Sequence, residues 1–131
     1  MKKLIFSIFL SLLSTQSFSG VGDVYNCKET SALSLFDNGA ITNLNNTLSN
    51  FSFRRNSTEI IIESAIIPTV TSLNITSSKD EEFTAFKKDK SSGGFEYLTF
   101  RNGMYINTIK VISSDYASVI TIIAKCRISK L

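Results

Sequence analysis

The sequence contains no histidine, no tryptophan, one proline and two cysteines among its 131 residues. Without histidine the chain cannot build a Ser-His-Asp triad, an imidazole general base or a histidine-ligated metal site. It also lacks the Ser-x-x-Lys and Gly-x-Ser-x-Gly motifs and a glycine-rich phosphate loop. We therefore expect a protein that is not an enzyme, with no catalytic residues, no cofactor and no metal.

Carboxylates are the catalytic groups that remain. Asp80-Glu81-Glu82 could contribute to a calcium site, or two acidic residues could flank a glycosidic bond. The basic stretch 87–90 follows closely, and this mixture of charges is typical of a solvated hairpin. A carboxylate-based hydrolase is therefore the least favoured of the functions considered below.

The first residues have the features of a secretory signal peptide. A basic start (1–3) precedes an apolar run (4–13), and small residues at Ser17 and Ser19 suit a signal peptidase. An uncleaved anchor is the alternative, but a spanning helix needs about 20 apolar residues and this run is shorter. The sequence predicts a signal peptide over 1–19, then a single all-β domain over 20–131, exported to the periplasm or outside the cell with no stable membrane span.

The charge of the exported domain indicates no particular partner. Cleavage removes Lys2 and Lys3, which leaves 12 basic and 11 acidic residues and a net charge of +1. Nucleic-acid binding would call for a basic stripe, and the lysines are scattered along the chain. The sequence therefore predicts no nucleic-acid partner and leaves the oligomeric state open.

The two cysteines, Cys27 and Cys126, lie near the two ends of the exported domain. Disulfides form and persist in oxidising compartments, so export favours a bond over two buried thiols. A disulfide requires the two Cα atoms to lie within roughly 7 Å. We therefore predict a Cys27–Cys126 disulfide and first and last strands that are neighbours.

From Val24 onward, apolar residues alternate with polar ones and β-branched or aromatic residues prevail, which predicts strands. Residues 37–49 are polar and rich in asparagine, which indicates a long loop. The predicted strands are 23–29, 32–36, 50–55, 58–63, 69–76, 82–88, 95–101, 104–112 and 117–128.

Two hairpins fix the register of the last three strands. Asn102-Gly103 suits a two-residue turn with positive φ angles, which pairs Phe100 with Tyr105. A four-residue loop over 113–116 then pairs Tyr105 with Ala124. The pairing agrees with the apolar row of the final strand, Ile120, Ile122, Ala124, Cys126 and Ile128.

Neighbouring first and last strands have a consequence for the fold. If the strands between them pair in order, about eight antiparallel strands close into a small barrel without exposed edges. A two-sheet β-sandwich, with the disulfide crossing between the layers, is the alternative.

The register predicts an inward row that includes Tyr25, Tyr105 and Asn107 beside isoleucines. A mostly apolar row with a few polar groups suits a small apolar ligand in the interior, with these three residues as its contacts. The alternative is a filled core in which backbone groups or water satisfy Asn107.

The same register turns five apolar residues outward, where a monomer should be polar. Such a patch marks either a partner surface or a place that a loop covers, and residues 37–49 could supply the cover. The patch consists of Tyr97, Met104, Ile106, Val119 and Ile123.

Short segments at both ends of the domain carry a resemblance. Gly22-Asp23-Val24-Tyr25-Asn26-Cys27 and the stretch from Ser118 to Cys126 resemble small exported proteins that are common in marine bacterioplankton and their phages. Phe51-Ser52-Phe53-Arg54, followed by Glu59-Ile60-Ile61, is similar to a strand pair in those proteins. The resemblance implies an exported bacterial β-protein and brings no functional residues with it.

Together these features predict an exported, non-enzymatic binding domain. Its partner would be another envelope protein, bound through the outer patch, or a small apolar ligand held inside. A structural or oligomeric envelope component is the second hypothesis.

Overall fold

The structure is a computed structural model that describes residues 22–64 and 70–129. The predicted signal peptide, 1–19, lies outside the described residues. Nine strands account for most of the chain. They are β1 (Val24–Phe36), β2 (Ile41–Asn43), β3 (Asn50–Arg55), β4 (Glu59–Ser64), β5 (Val70–Lys79), β6 (Glu82–Lys88), β7 (Phe95–Arg101), β8 (Met104–Ile112) and β9 (Ala117–Ser129).

Eight of these strands form a closed antiparallel barrel, which confirms the predicted fold class. The order is β1-β3-β4-β5-β6-β7-β8-β9, and β9 pairs back onto β1. β2 is an additional short strand beside the second half of β1. Closure satisfies the backbone groups that an open sheet would expose at its edges.

The first strand is longer than predicted. The sequence suggested separate strands over 23–29 and 32–36, whereas β1 runs without a break from Val24 to Phe36. The register against β9 shifts between Glu29 and Ser31, and the Thr30 hydroxyl donates to the Ile123 carbonyl at 3.2 Å. A bulge of this kind accommodates an extra residue and reverses which positions face inward, so the alternation is interrupted while the strand continues.

Residues 37–49 are a loop over much of their length, as predicted, but the loop also contains regular structure. They contain β2 and a single 3-10 turn over Asn45–Thr47. The asparagine side chains replace backbone partners here. The Asn45 side-chain oxygen accepts from the Ala32 amide at 3.0 Å, and that of Asn43 accepts from the Asn45 amide at 2.8 Å. Amide side chains of this type favour local turns, which explains why an asparagine-rich segment is ordered.

The β7–β8 hairpin has the predicted turn and register. Asn102 and Gly103 adopt φ angles of 51° and 73°, as a two-residue turn of this hand requires. Phe100 lies opposite Tyr105. Across the β8–β9 hairpin, Tyr105 lies opposite Ala124 as predicted.

The disulfide lies where the barrel closes. Cys27 of β1 is directly opposite Cys126 of β9, and the two Cα atoms are 4.0 Å apart and joined by a disulfide. This separation matches the closely spaced type of antiparallel pair. The predicted bond and the predicted contact between the end strands are both confirmed.

Within 22–64 and 70–129, no helix is both long and apolar enough to cross a membrane.

Candidate functional sites

Aromatic rings from β1, β3, β6 and β7 fill one half of the barrel interior. Tyr25 is fully buried and stacks on Phe53 with the ring centroids 4.5 Å apart. Phe100 meets the Tyr25 ring edge-on at 5.0 Å and stacks on Phe83 at 5.1 Å. Stacked and edge-on rings at these distances leave no room for a ligand among them.

Arg55 closes one end of this aromatic core. Its guanidinium lies 5.0 Å above the centre of the Phe83 ring, and the residue is 5% exposed. One terminal nitrogen donates to the Asp80 carbonyl at 3.0 Å, and the other donates to the Ser78 hydroxyl. Burial raises the pKa of Tyr25, and the nearby Arg55 charge partly opposes that rise. The buried guanidinium therefore packs and hydrogen-bonds as part of the core.

A polar group lies above the rings. The Asn107 side chain donates to a Glu96 carboxylate oxygen at 2.7 Å, while its own oxygen has no hydrogen-bond partner among the described residues. Burial raises the pKa of Tyr105 well above its usual range, and the Glu96 charge adds to that rise. Asn107 thus links the packed core to the Glu96 carboxylate on β7.

The three residues expected to contact an interior ligand are all buried, and all face inward as predicted. Tyr25 and Tyr105 belong to the ring cluster, and Asn107 is 3% exposed. None of the three lines either of the cavities described next. Where these residues lie, the interior matches the filled-core alternative.

One cavity of about 400 Å³, which we call the mouth cavity, lies at the end of the barrel that carries the β6–β7 loop. Its walls combine the inward residues Ile109 and Val111 with Glu96 and with the β6–β7 loop. In that loop Asp89 accepts hydrogen bonds from the Ser91 and Ser92 hydroxyls at 2.7 and 2.6 Å. Those bonds hold the pKa of Asp89 below its usual range. The mouth is large enough for a small molecule and offers both apolar and charged contacts.

A larger concavity of about 1050 Å³ lies on the outside, over the disulfide. We call it the seam groove, because it follows the β1–β9 seam. It is bounded on one side by the Asn102–Gly103 turn and on the other by β3 and β4. Its outward-facing lining residues are Asn26, Lys28, Thr30, Asn50, Ser52, Glu63, Asn102, Gly103, Met104, Lys125 and Arg127.

The residues of the predicted outer patch do share one face of the sheet. Ile106 lies directly opposite Ile123, and Tyr97 lies on the neighbouring strand. Tyr97 and Ile106 are 42% and 41% exposed, whereas Met104, Val119 and Ile123 are half-buried. Residues 37–49 extend the sheet beside β1 and leave Tyr97 and Ile106 exposed, so they do not cover the patch.

The patch extends further than the sequence suggested. Phe86 lies opposite Tyr97 on one side, and Leu33 and Leu35 continue the face across the seam. These three are 36%, 44% and 48% exposed. We call the whole surface the outer apolar face. Its outward residues are Leu33, Leu35, Phe86, Tyr97, Met104, Ile106, Val119 and Ile123, with the threonines 84, 99, 108 and 121 between them.

The acidic stretch 80–82 lies at a hairpin. Asp80 occupies the β5–β6 turn with a φ of 54°, and Glu82 forms an ion pair with Arg101 at 2.9 Å. In the part of the chain that the structure describes, no three cysteine or acidic side chains come close enough to hold a metal ion.

The seam groove was not predicted from the sequence, although the predicted Cys27–Cys126 disulfide could have indicated which residues lie together there. In an antiparallel pair, Cys27 opposite Cys126 places Lys28 opposite Lys125 and Asn26 opposite Arg127. Basic residues that are distant in the sequence are thereby collected on one face. The lysines are scattered along the sequence, as stated above, but Lys28 and Lys125 lie together on this surface.

Comparison with known proteins supplies no relative. No protein-family model, curated protein or solved structure matches the chain.

Proposed function

We propose that the protein is an exported, non-enzymatic interaction domain that associates with a second copy of itself through the outer apolar face. The observation that carries the proposal is the exposure of Tyr97 and Ile106 on the neighbouring strands β7 and β8, with Leu33 on β1 beyond β9. Each of these large apolar side chains is more than 40% exposed. A soluble protein rarely exposes a contiguous apolar surface without a partner for it.

The composition of the face supports a protein partner. Its middle contains aliphatic, aromatic and threonine side chains, and the nearest outward charges, Lys88, Lys110, Arg101 and Lys125, lie at its borders. The cores of protein interfaces are likewise depleted in charge and enriched in tyrosine, phenylalanine and methionine. An ordinary solvated surface carries charges of both signs throughout.

The absence of charge also favours a second copy as the partner. In a two-fold dimer each residue of the face meets the same patch on the other subunit, so a charged face would bring like charges together. An uncharged face avoids this repulsion. The adjoining strands β7, β8 and β9, which carry Tyr97, Ile106 and Ile123, could pack against the same strands of a second copy at the usual angle of about 30° between strand directions.

Export and a non-enzymatic role are further parts of the proposal. Export is supported by the signal-like residues 1–19, by the resemblance to exported bacterial proteins and by the compatibility of the Cys27–Cys126 bond with an oxidising compartment. A non-enzymatic role is supported by the lack of histidine and by the engagement of both cysteines in the disulfide.

The test is the mass of the exported protein in solution, measured by sedimentation over a range of concentrations. We expect a concentration-dependent dimer, and Ile106→Lys should convert it to monomer because the change places a charge at the centre of the contact. Ser57→Lys is the matched control. It adds the same charge in the exposed β3–β4 turn and should leave the dimer intact.

Two outcomes would overturn the proposal. One is a protein that remains monomeric at every concentration. The other is a dimer that Ile106→Lys and Ser57→Lys affect equally. N-terminal sequencing of the exported form tests the compartment separately, since it should begin after Ser19.

The mouth cavity supports a second candidate function, the binding of a small ligand. A volume of about 400 Å³, with Ile109, Glu96 and Asp89 in its wall, offers apolar contact and two carboxylates held by hydrogen bonds. Lysines 87, 88, 90 and 110 also line it. Native mass spectrometry of protein purified from its own host should then show a bound small molecule. If only bare protein is found, this second candidate is wrong.

A further inference from the structure

We propose that the seam groove binds acidic polysaccharides, with Lys28, Lys125 and Arg127 as the cationic contacts. Lys28 and Lys125 lie directly opposite each other, and Arg127 follows on the same face of β9. All three side chains are exposed in a concavity of about 1050 Å³. The proposal does not require self-association through the outer apolar face, which the groove adjoins at Met104 and Lys125.

The three cations are left without counter-charges. Within 22–64 and 70–129, the one ion pair is that of Arg101 with Glu82, and no carboxylate pairs with Lys28, Lys125 or Arg127. Glu63 is the single acidic residue among those lining the groove. Two like charges directly opposite each other on a sheet are unfavourable, so the Lys28–Lys125 pair weakens the fold unless an anion lies between the two residues.

The remaining lining residues suggest what accompanies the anion. Asn26, Asn50 and Asn102 supply amide groups, and Ser52 supplies a hydroxyl. Amides both donate and accept hydrogen bonds, and hydroxyl groups of a sugar need partners of both kinds. A chain that carries carboxylate or sulfate groups among many hydroxyls would therefore use the cations and the amides together.

The groove fits other polyanions less well. Among the described residues, the one aromatic residue that lines the groove is Phe51, and its ring packs inward against Tyr105 at 4.8 Å. Single-stranded nucleic acid would therefore find no free ring on which to stack its bases. Proteins that bind a nucleic-acid duplex make on the order of six to ten phosphate contacts. The three cations of the groove are few by comparison. An acidic polysaccharide needs neither stacking nor a long basic stripe.

Binding is measured with dextran sulfate and polygalacturonate as probes, with neutral dextran as the uncharged control. The two acidic polymers should bind, with an affinity that falls as salt rises, and neutral dextran should not. Lys125→Gln should weaken binding about tenfold, as expected for the loss of a hydrogen-bonded charge. Lys79→Gln removes an equally exposed lysine outside the groove and should change nothing.

A second readout separates a binding site from a general charge effect. Without polymer, Lys125→Gln should raise the melting temperature at low salt, because it removes the repulsion from Lys28. With polygalacturonate present, the wild-type melting temperature should rise more than that of the variant. Equal weakening by Lys79→Gln, equal binding of neutral dextran, or single-stranded DNA that binds as tightly as the acidic polysaccharides would each overturn the proposal.

Discussion

Removal of the Cys27–Cys126 disulfide should destabilise the barrel strongly without changing its strand order. The bond joins residues 99 apart in the sequence, and closing a loop of about this length lowers the entropy of the unfolded chain by the equivalent of about 4 to 5 kcal/mol. A small domain has a total free energy of unfolding of roughly 5 to 15 kcal/mol. Cys27→Ala/Cys126→Ala should therefore be folded but marginally stable.

Urea denaturation, followed by circular dichroism, measures this loss. Two features of the curves should change together. The midpoint should fall, and the slope of the free energy against urea should increase, because an unfolded chain without the cross-link is more expanded and exposes more surface. Strand content before the transition should match that of the wild type, because the β1–β9 register extends well beyond the cysteines, from Val24 to Phe36.

The single variants separate the cross-link from local packing. Cys27 is 4% exposed and Cys126 is less buried, so a packing effect would make Cys27→Ala the more damaging change. If the cross-link dominates, both single variants should lose nearly as much stability as the double variant. A loss below about 1 kcal/mol, with an unchanged slope, would refute the chain-entropy argument for this protein.

Two further predictions concern the core. Arg55→Ala should lower the free energy of unfolding, measured by urea denaturation, by about 2 to 4 kcal/mol. The change empties the space above the Phe83 ring and leaves the Asp80 carbonyl without its hydrogen-bond donor. Arg55→Met should lower the free energy of unfolding by less. Burial raises the pKa of Tyr25 and Tyr105 in the folded state, so the unfolded chain loses these protons first, and the free energy of unfolding should fall as the pH rises above about 10. The phenolate absorbance of these two tyrosines should appear together with unfolding. Tyr105→Phe should reduce the loss of stability at high pH.

Much of the barrel could be predicted because local rules specify it. The Asn102-Gly103 pair determines both the turn and the register, since few other residues tolerate two consecutive positive φ angles. The alternation in β9 then agreed with that register independently. The predicted export favoured a disulfide, and the disulfide required the end strands to meet, which favoured a closed sheet over the alternative of a sandwich.

The failures have physical causes that a single strand's pattern does not contain. The bulge at Glu29–Ser31 reverses the alternation of β1, so one strand has the pattern of two. In the segment 37–49, asparagine side chains satisfy backbone groups in place of regular pairing, which the composition alone presents as a loop. Neither feature has a hydrophobic period to detect.

The candidate sites were harder to predict than the fold because surfaces are assembled from strands distant in the sequence. Inward positions such as Tyr25 and Asn107 could be assigned from alternation, but whether they contact a ligand or fill a core depends on how tightly the rings pack. The stacking of Tyr25 on Phe53 at 4.5 Å involves two strands that the sequence does not show to be neighbours. The outer patch was predicted in part because its members belong to the last three strands, where the register was known.

The disulfide and the seam groove are connected through the energetics of closure. Lys28 and Lys125 flank the disulfide on the seam that closes the barrel, and repulsion between directly opposed like charges costs up to about 1 kcal/mol. The cross-link contributes several times that amount by restricting the unfolded chain. Because the disulfide holds the β1–β9 seam covalently, the fold can tolerate the repulsion between Lys28 and Lys125. A seam held by hydrogen bonds alone would be destabilised more. The position of the disulfide beneath these cations thus has a physical rationale, because the bond offsets the destabilisation that the proposed anion site introduces.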